Sequence, residues 1–144
     1  MKGYKISTNI DELDFEVIYR FISESYWAAD IPRNTLKKAI SNSLCFGIFD
    51  GSEAQVGFAR LVTDRATFAY LADVFVIEAH RGQGLSKWLV EKIVAHPELQ
   101  GLRRMVLATR DAHGLYAQYG FQPIENPEIL MQIWQPNVYR EQKA

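Results

Sequence analysis

The sequence has little cysteine, no surplus of one charge and no long apolar run. A lone cysteine, Cys45, cannot form an internal disulfide, and with only three histidines, none of them clustered, we expect no metal site. Sixteen Lys and Arg residues against 17 Asp and Glu residues lack the basic excess of a general nucleic-acid binder. The longest apolar stretch, residues 68–77, contains Asp73 and is far shorter than the roughly 20 residues of a membrane-spanning helix.

What is present describes an ordinary globular domain. The chain has 144 residues, of which 48% are hydrophobic and 23% charged, and this length supports one domain with its own core. No apolar segment follows the basic N-terminus, so a secretory signal is not expected. We therefore predict one soluble, cytoplasmic domain over residues 1–144, with a polar tail from Gln135 that can fray.

The hydrophobic patterns predict an α+β fold of the α/β-sandwich type. Helical spacing appears over residues 12–24, with Asp11 as a possible cap, and again around Leu36 and Ile40 after a possible cap at Asn34. Further helices are expected over residues 85–95 and from a cap at Asp111 to about Gly120. Strands are expected at residues 4–8, 44–49, 55–62, 67–77 and 104–108, with a final pair at 121–124 and 129–134.

The order of these elements also predicts how the strands run. A strand, an eleven-residue helix and another strand form a crossover, which makes the strands at 67–77 and 104–108 parallel. The hairpin before them is antiparallel, so we expect a mixed and mostly antiparallel sheet with flanking helices. Because the strand at 67–77 is apolar on both faces, it is expected to be covered on both sides.

The loop at residues 80–84 joins that buried strand to the next helix. The first turn of a helix has unpaired N–H groups and a partial positive charge, and Gly82 and Gly84 have no side chains to keep a ligand away. Arg81 adds a guanidinium, which suits phosphate. Together these are the parts of a pyrophosphate site, although a glycine pair also begins helices that bind nothing.

Two nucleotide-binding motifs do not match this loop. A dinucleotide fingerprint needs G-x-G-x-x-G, and Lys87 stands where the third glycine belongs. The run G-x-x-x-x-G-K-[ST] of a phosphate-binding NTPase loop does not occur in the sequence. Neither of these nucleotide-binding motifs is therefore present.

Two motifs resemble those of the GNAT-type N-acetyltransferases. The first, Arg81-x-x-Gly84-x-Ser86, is similar to the family's acetyl-CoA signature Q/R-x-x-G-x-G/A, with serine at the last place. The second, over residues 109–121, is similar to N-x-x-A-x-x-L-Y-x-x-x-G-F. Its matching positions are Ala112, Leu115, Tyr116, Gly120 and Phe121. The resemblance covers most of the chain from residue 44 to residue 134.

The resemblance implies acetyl-CoA as the cofactor and a GNAT fold in which the parallel strands splay apart. The diphosphate would bind the backbone amides of the loop, and pantetheine would pair with the edge of the preceding strand. Thr109 stands where the family usually has the asparagine of its second motif. The implied cofactor-binding residues are Val74, Phe75, Val76, Arg81, Gly82, Gln83, Gly84, Leu85, Ser86 and Thr109.

The resemblance also implies transfer of an acetyl group to a primary amine of a small molecule or a peptide. A backbone N–H near Val74 or Phe75 would stabilise the thioester oxygen, and Tyr116, at the family's tyrosine position, would protonate the leaving thiolate. Tyr116 is otherwise a core tyrosine. Asp73 is the candidate base, because an acid in an apolar strand is costly unless paired or useful; the alternative is a carboxylate bonded to backbone or arginine.

The acceptor site and the partners are less determined. The resemblance implies that Tyr26, Trp27 and Asp30 lie near the acceptor, although the two aromatic rings could equally fill the core. By analogy with other domains of this fold, residues 129–134 could be a homodimer edge. Two other functions remain open: a non-catalytic module that senses acyl-CoA, and a structural or interaction domain.

Overall fold

Five strands form one mixed sheet in the computed structural model, which describes residues 1–143. They lie in the sheet in chain order, and the first four pair antiparallel, whereas the fourth and fifth pair parallel. The strands are β1 (Lys5–Ser7), β2 (Leu44–Phe49), β3 (Gln55–Thr63), β4 (Phe68–Val76) and β5 (Arg104–Leu107). The predicted α+β fold with a parallel crossover pair is confirmed.

The helices cover both faces of the sheet. One face packs on α1 and α2, in a cluster that includes Ile18, Leu36 and Phe58; the other packs on α3, in a cluster that includes Ala59 and Leu89. Neighbouring residues of β3 thus serve opposite layers, as the alternation along a strand requires. The helices are α1 (Phe15–Ser23), α2 (Arg33–Ser41), α3 (Leu85–Ala95), α4 (His113–Ala117) and α5 (Val138–Lys143). Within residues 1–143, no helix is long and apolar enough to cross a membrane.

The first two helices begin at other residues than predicted. Asp14 caps α1, where its Oδ1 accepts the Val17 N–H at 3.2 Å, and Asp11 instead lies in a 3-10 turn. Pro32 precedes α2 and Asn34 lies inside its first turn. A capping side chain must sit on the extended residue just before the helix, and neither predicted cap occupies that place.

β4 is less covered than the apolar pattern predicted. Phe68 and Tyr70 at its start remain 42% and 37% exposed, whereas Ala69 and Leu71, which alternate with them, are buried. β5 pairs with this part of β4, but the face that Phe68 and Tyr70 share stays open to solvent in the described part of the chain. The predicted covering on both sides is therefore wrong for the first half of the strand.

The predicted final strand pair is also wrong. Residues 121–124 are irregular. Pro127–Ile129 forms a 3-10 turn that ends at the first residue of the second predicted strand. Pro123 and Pro127 lack the N–H that a sheet ladder needs, and neither segment has a strand beside it. The sheet consequently ends at β5, and the segment at 129–134 lies unpaired.

Candidate active site

β4 and β5 separate halfway along β4. Their parallel pairing stops at Leu71 and Leu107, so the rest of β4 has no strand on that side. Just beyond, β4 carries one extra residue opposite β3, and Asp73 has a φ of 56°. Such a bulge bends its strand and re-aims the side chains around it. The bulge therefore lies where the predicted splay of the parallel pair begins.

A cavity of about 410 Å³ opens in the gap between the two strands. Its walls come from the turn after α1, from the middle of β4, and from the end of β5 with the start of α4. The residues that line it are Tyr26, Trp27, Tyr70, Leu71, Ala72, Asp73, Val74, Leu107, Ala108, Thr109, Arg110, Asp111, Ala112 and Tyr116. Elements far apart in the sequence thus meet at one opening.

Asp73 is buried in the wall of this cavity and is fully engaged. Its Oδ2 accepts the Arg60 Nε–H at 2.8 Å, and its Oδ1 accepts the Trp27 Nε1–H at 2.8 Å. Only 6% of the Asp73 side chain is exposed, and Arg60 in turn donates to the Ser43 hydroxyl at 3.2 Å. This is the arginine-bonded alternative stated for Asp73, and it holds Trp27 against the cavity.

Tyr116 presents its hydroxyl to the same cavity. The ring is 8% exposed and packs edge to face on Phe121, with 5.7 Å between the ring centroids. Among the described residues, no group forms a hydrogen bond with this hydroxyl. No side-chain oxygen among them is fully buried without a partner either, so the hydroxyl must be accessible from the cavity that Tyr116 lines. Burial, with a smaller effect of nearby Tyr26, raises the pKa of Tyr116 above its usual value, which keeps the phenol protonated at neutral pH.

Arg110 and Thr109 form the rim on the α4 side. The Arg110 guanidinium lies 4.0 Å from the centroid of the Tyr26 ring, a cation–π contact that joins two walls of the cavity. Thr109 Oγ1 accepts the Ala112 N–H at 3.1 Å, and no side chain caps α4, so the cap predicted at Asp111 is wrong. Ala112, and not Asp111, is the residue that precedes α4.

Past Val76, β4 leads into the loop and the start of α3. Six consecutive backbone N–H groups, at residues 82–87, have no acceptor among the described residues. Gly82 and Gly84 have φ of 85° and 84°, and an added Cβ at either would point into open space. Only glycine adopts this left-handed backbone without strain, so the two glycines leave the amides uncovered. The donor set fits an anion such as the diphosphate of coenzyme A.

Side chains hold this loop in place from both ends. Arg81 Nε donates to the Val76 carbonyl at 2.8 Å, which ties the loop to the end of β4. On the other side, the Tyr4 hydroxyl lies 2.9 Å from His80 Nδ1 and accepts from Gln83 Nε2 at 3.1 Å. The amides are therefore preorganised by the fold and do not depend on a ligand for their arrangement.

Not all of the predicted site residues come together. Six line the cavity: Tyr26, Trp27, Asp73, Val74, Thr109 and Tyr116. Asp30 is outside it, with its carboxylate 3.7 Å from Arg140 Nε, and the Phe75 ring stacks on Phe21 in the core at 4.2 Å. Leu85 is buried under the loop, so only its backbone faces the amide cluster.

The sequence reasoning missed several residues of the site. Arg60 comes from β3 and Tyr70 from the start of β4, and no motif marks either. Arg110 lies inside the second motif, at a position that the motif leaves free. Tyr4, the residue before β1, supports the loop from 76 residues earlier in the chain. The position of Asp73 in an apolar strand was the one sequence signal that indicated a cation nearby, because a buried carboxylate is costly without a partner.

Comparisons with known proteins agree with this architecture. A sequence model described as "Acetyltransferase (GNAT) family" matches residues 10–121. A Gibberella zeae protein described as "Putative acetyltransferase FG08082" is 31% identical, over 80% of this chain and 76% of its own length. A Xanthomonas campestris crystal structure, described as a "putative acetyltransferase belonging to the gnat family", is 51% identical with a TM-score of 0.92, covering 96% of this chain and 98% of that one.

A more distant structure shares the fold alone. Glucosamine-6-phosphate N-acetyltransferase from Arabidopsis thaliana is 14% identical with a TM-score of 0.63, over 93% of this chain and 98% of that one. The substrate in its name is a property of that protein alone, because a likeness at this level of identity extends to the arrangement of helices and strands and no further.

Proposed function

This chain belongs to the GNAT acetyltransferase family, and from that premise we propose that it moves the acetyl group of acetyl-CoA to a primary amine of a small molecule or a peptide. The observation that carries the proposal is the row of uncovered amides at residues 82–87, reached directly from the open edge of β4. It supplies an anion site and a strand edge side by side, which suits a long diphosphate cofactor.

In this proposal acetyl-CoA, when bound, supplies the acetyl thioester. The amides of residues 82–86 and the Arg81 guanidinium bind the diphosphate, and the β4 edge from Val74 to Val76 orients the arm. The N–H of Ile77 donates back to β3, to the Val56 carbonyl, so strand alternation turns the N–H of its neighbour Val76 to the open side. We assign the stabilisation of the thioester oxygen to the Val74 N–H, because Val74 lines the cavity whereas the Phe75 ring packs in the core.

Tyr116 acts as the general acid. As the amine nitrogen bonds to the acetyl carbon, the carbon–sulfur bond breaks and the sulfur takes the Tyr116 proton. The hydroxyl is open to the cavity, and its raised pKa keeps the proton available at neutral pH. An ammonium acceptor loses two protons in becoming an amide: one goes to solvent before the attack, and the other, lost from the nitrogen after it, replaces the proton that Tyr116 gave to the sulfur.

Asp73 works beside the acceptor. Each of its oxygens accepts one hydrogen bond, and a carboxylate oxygen can accept a second; Asp73 also lines the cavity. In this role Asp73 attracts the ammonium form of the acceptor and holds Trp27 in place, while water carries the amine proton away. Tyr26 and Trp27 present aromatic faces on which a cationic acceptor can bind.

Turnover of acetyl-CoA against a panel of primary amines, followed by free thiol release, tests the proposal. We expect Tyr116→Phe to lower kcat by about 10²–10⁴-fold with an unchanged KM for acetyl-CoA. The matched control is Tyr119→Phe, one turn further on and outside the cavity, which should retain activity. On the alkaline side, the activity of the wild type should fall only above about pH 10, because burial raises the pKa of Tyr116 above the ordinary tyrosine value.

Two results would contradict it. Tight binding of acetyl-CoA with no transfer to any amine would make the protein a sensor of acyl-CoA. Full activity of Tyr116→Phe would remove the assignment of the acid while leaving the reaction class intact.

A further inference from the structure

Arg110 brings a guanidinium to the rim of the cavity without a carboxylate partner. Asp73 in the cavity wall is paired with Arg60, whereas the Arg110 side chain forms no ion pair and no hydrogen bond within residues 1–143. Its neighbour Asp111 also lines the cavity, but the two opposite charges do not form an ion pair. The proposed transfer gives neither the charge nor the N–H groups of Arg110 a role.

Stacking on Tyr26 holds this guanidinium in place and leaves its donors unused. The guanidinium carbon lies 4.0 Å from the centroid of the Tyr26 ring, which is contact distance for a flat group on an aromatic ring. A guanidinium carries its N–H groups at its edge, in its own plane, so contact through the face leaves that edge for a ligand. A carboxylate matches the edge with two parallel hydrogen bonds.

An aromatic wall connects Arg110 to the buried carboxylate of Asp73. The Tyr26 ring packs edge to face on Trp27, with 5.1 Å between the ring centroids, and Trp27 Nε1 donates to Asp73 Oδ1 at 2.8 Å. Tyr26 remains 56% exposed and Trp27 remains 42% exposed, although these contacts hold both rings in place. A cation at the rim and a buried carboxylate therefore lie at the two ends of a flat, accessible surface.

We propose that the acceptor is a primary amine that carries a carboxylate at the other end of a flat or apolar body, and that Arg110 binds this carboxylate. This acceptor class rests on the proposed acetyl transfer and gives it a substrate. The amine lies towards Asp73 and Tyr116, where the transfer takes place. The body lies on Tyr26 and Trp27, so each charged end of the molecule meets the opposite charge.

The charge of the cavity favours a carboxylate over a phosphate group. Among the described residues, Arg110 is the only cation that lines the cavity, since Arg60 is taken up by Asp73. A phosphate monoester carries close to two negative charges at neutral pH, and Asp111 beside Arg110 would repel the second. α4 has only five residues, so it does not supply a helix terminus for a second charge.

Arg110 also lies apart from the groups assigned to the cofactor. The diphosphate is assigned to the amides of the loop and to Arg81, and none of residues 77–87 lines the cavity. The Arg110 side chain instead contacts Tyr26, on the acceptor side. We therefore expect Arg110 to act on the acceptor and not on coenzyme A.

Binding of a matched acid and amide in the presence of coenzyme A tests this assignment. 4-(Aminomethyl)benzoate and 4-(aminomethyl)benzamide share their size, shape and amine, and only the first carries a carboxylate. Calorimetry should show that the wild type binds the acid about tenfold more tightly, as one charge-assisted contact provides. Arg110→Gln should bind the two alike. Arg20→Gln, at an exposed arginine of α1 outside the cavity, is the matched control and should keep the preference.

A pair of variants at Tyr26 tests whether stacking positions the guanidinium. Tyr26→Phe keeps an aromatic face under Arg110 and should retain the preference for the acid. Tyr26→Leu removes that face at a position that is half exposed, so the fold should survive while the preference decreases. Acetylation of the bound acid, followed by free thiol release, is measured in the same proteins.

The outcomes separate this acceptor class from the reaction itself. Equal binding of the acid and the amide by the wild type would overturn the role of Arg110 and leave acetyl transfer open. A preference that Arg110→Gln retains would overturn it as well, and so would weaker binding of coenzyme A by that variant, since Arg110 would then serve the cofactor. Selective binding of the acid without its acetylation would contradict the proposed transfer instead, while the carboxylate site would stand.

Discussion

The two ends of the candidate site, the loop after β4 and the cavity between β4 and β5, use different chemical groups. At the loop after β4, the donors are backbone amides, and the two glycines contribute by having no side chain. At the cavity, the working groups are side chains from the turn after α1 and from β3, β4 and α4, with Trp27 and Arg60 bonded to Asp73. Backbone donors depend on local conformation, whereas the cavity depends on the relative placement of these four parts of the chain.

This difference says how each end can fail. The loop is exposed and should tolerate changes in the core beneath it, because Arg81 and Tyr4 tie it down locally. The cavity includes a buried ion pair, whose partners were each taken out of water, so removal of one partner leaves the other uncompensated. A change at one end should therefore leave the other end working.

The largest effect is expected from Arg60→Met. The substitution keeps most of the side-chain volume but leaves the Asp73 carboxylate buried without its cation, at a cost of about 3–5 kcal/mol in the free energy of unfolding. Urea unfolding at pH 7 measures this loss. Below its unfolding transition the variant should still bind coenzyme A as tightly as the wild type, because Arg60 does not touch the loop.

The control for that variant is Lys5→Met. It breaks the Lys5–Glu12 ion pair, which has a similar contact distance of 2.7 Å but lies in solvent. An exposed pair contributes little, so no measurable change is expected. Equal destabilisation by the two variants would show that burial does not account for the contribution of the Arg60–Asp73 pair to the free energy of unfolding.

Gly84→Val should affect the opposite end. A branched side chain at a φ of 84° strains the backbone and covers the amides, so one or two charge-assisted hydrogen bonds to the diphosphate are lost. At about 1.5–3 kcal/mol each, this corresponds to about 100-fold weaker binding of coenzyme A, measured by calorimetry. Gly101→Val is the control, because Gly101 has a φ of 77° and open space around it but lies away from the loop.

Gly101→Val should carry the same backbone strain and bind coenzyme A normally. If both glycine variants weaken binding alike, the effect is one of strain on the whole fold, and the contrast between a backbone end and a side-chain end no longer holds.

The same contrast explains what the sequence could predict. The loop is a local feature: strand, glycine pair and helix follow one another along the chain, and α3 begins and ends where the pattern predicted. The Arg60–Asp73 pair depends on the β3–β4 register and on a one-residue bulge, which hydrophobic alternation does not specify. Tyr116 was found only because it falls inside a motif.

The failed prediction at the C-terminus has a related cause. Residues 129–134 have the composition of a strand, and the pattern was interpreted as pairing within the chain. A strand needs a neighbour as well as a composition, and Pro123 and Pro127 prevent the preceding segment from supplying one. Composition carries no information on whether the neighbour belongs to the same molecule.

The smallest effect concerns Cys45, which lies in β2 and packs in the cluster beneath the cavity. Burial raises the pKa of its thiol to about 11. The unfolded thiol ionises near its ordinary pKa of 9.0, so the folded state, whose thiol stays neutral, loses stability as pH rises from about 9 towards 11. Between pH 8 and pH 10 this contribution falls by about 1 kcal/mol.

Urea unfolding should show that extra loss of stability in the wild type and not in Cys45→Ala. The difference between the two proteins isolates the thiol from other groups that titrate in this pH range. An identical pH dependence in both proteins would mean that water reaches Cys45, and that the side-chain end is as open as the loop.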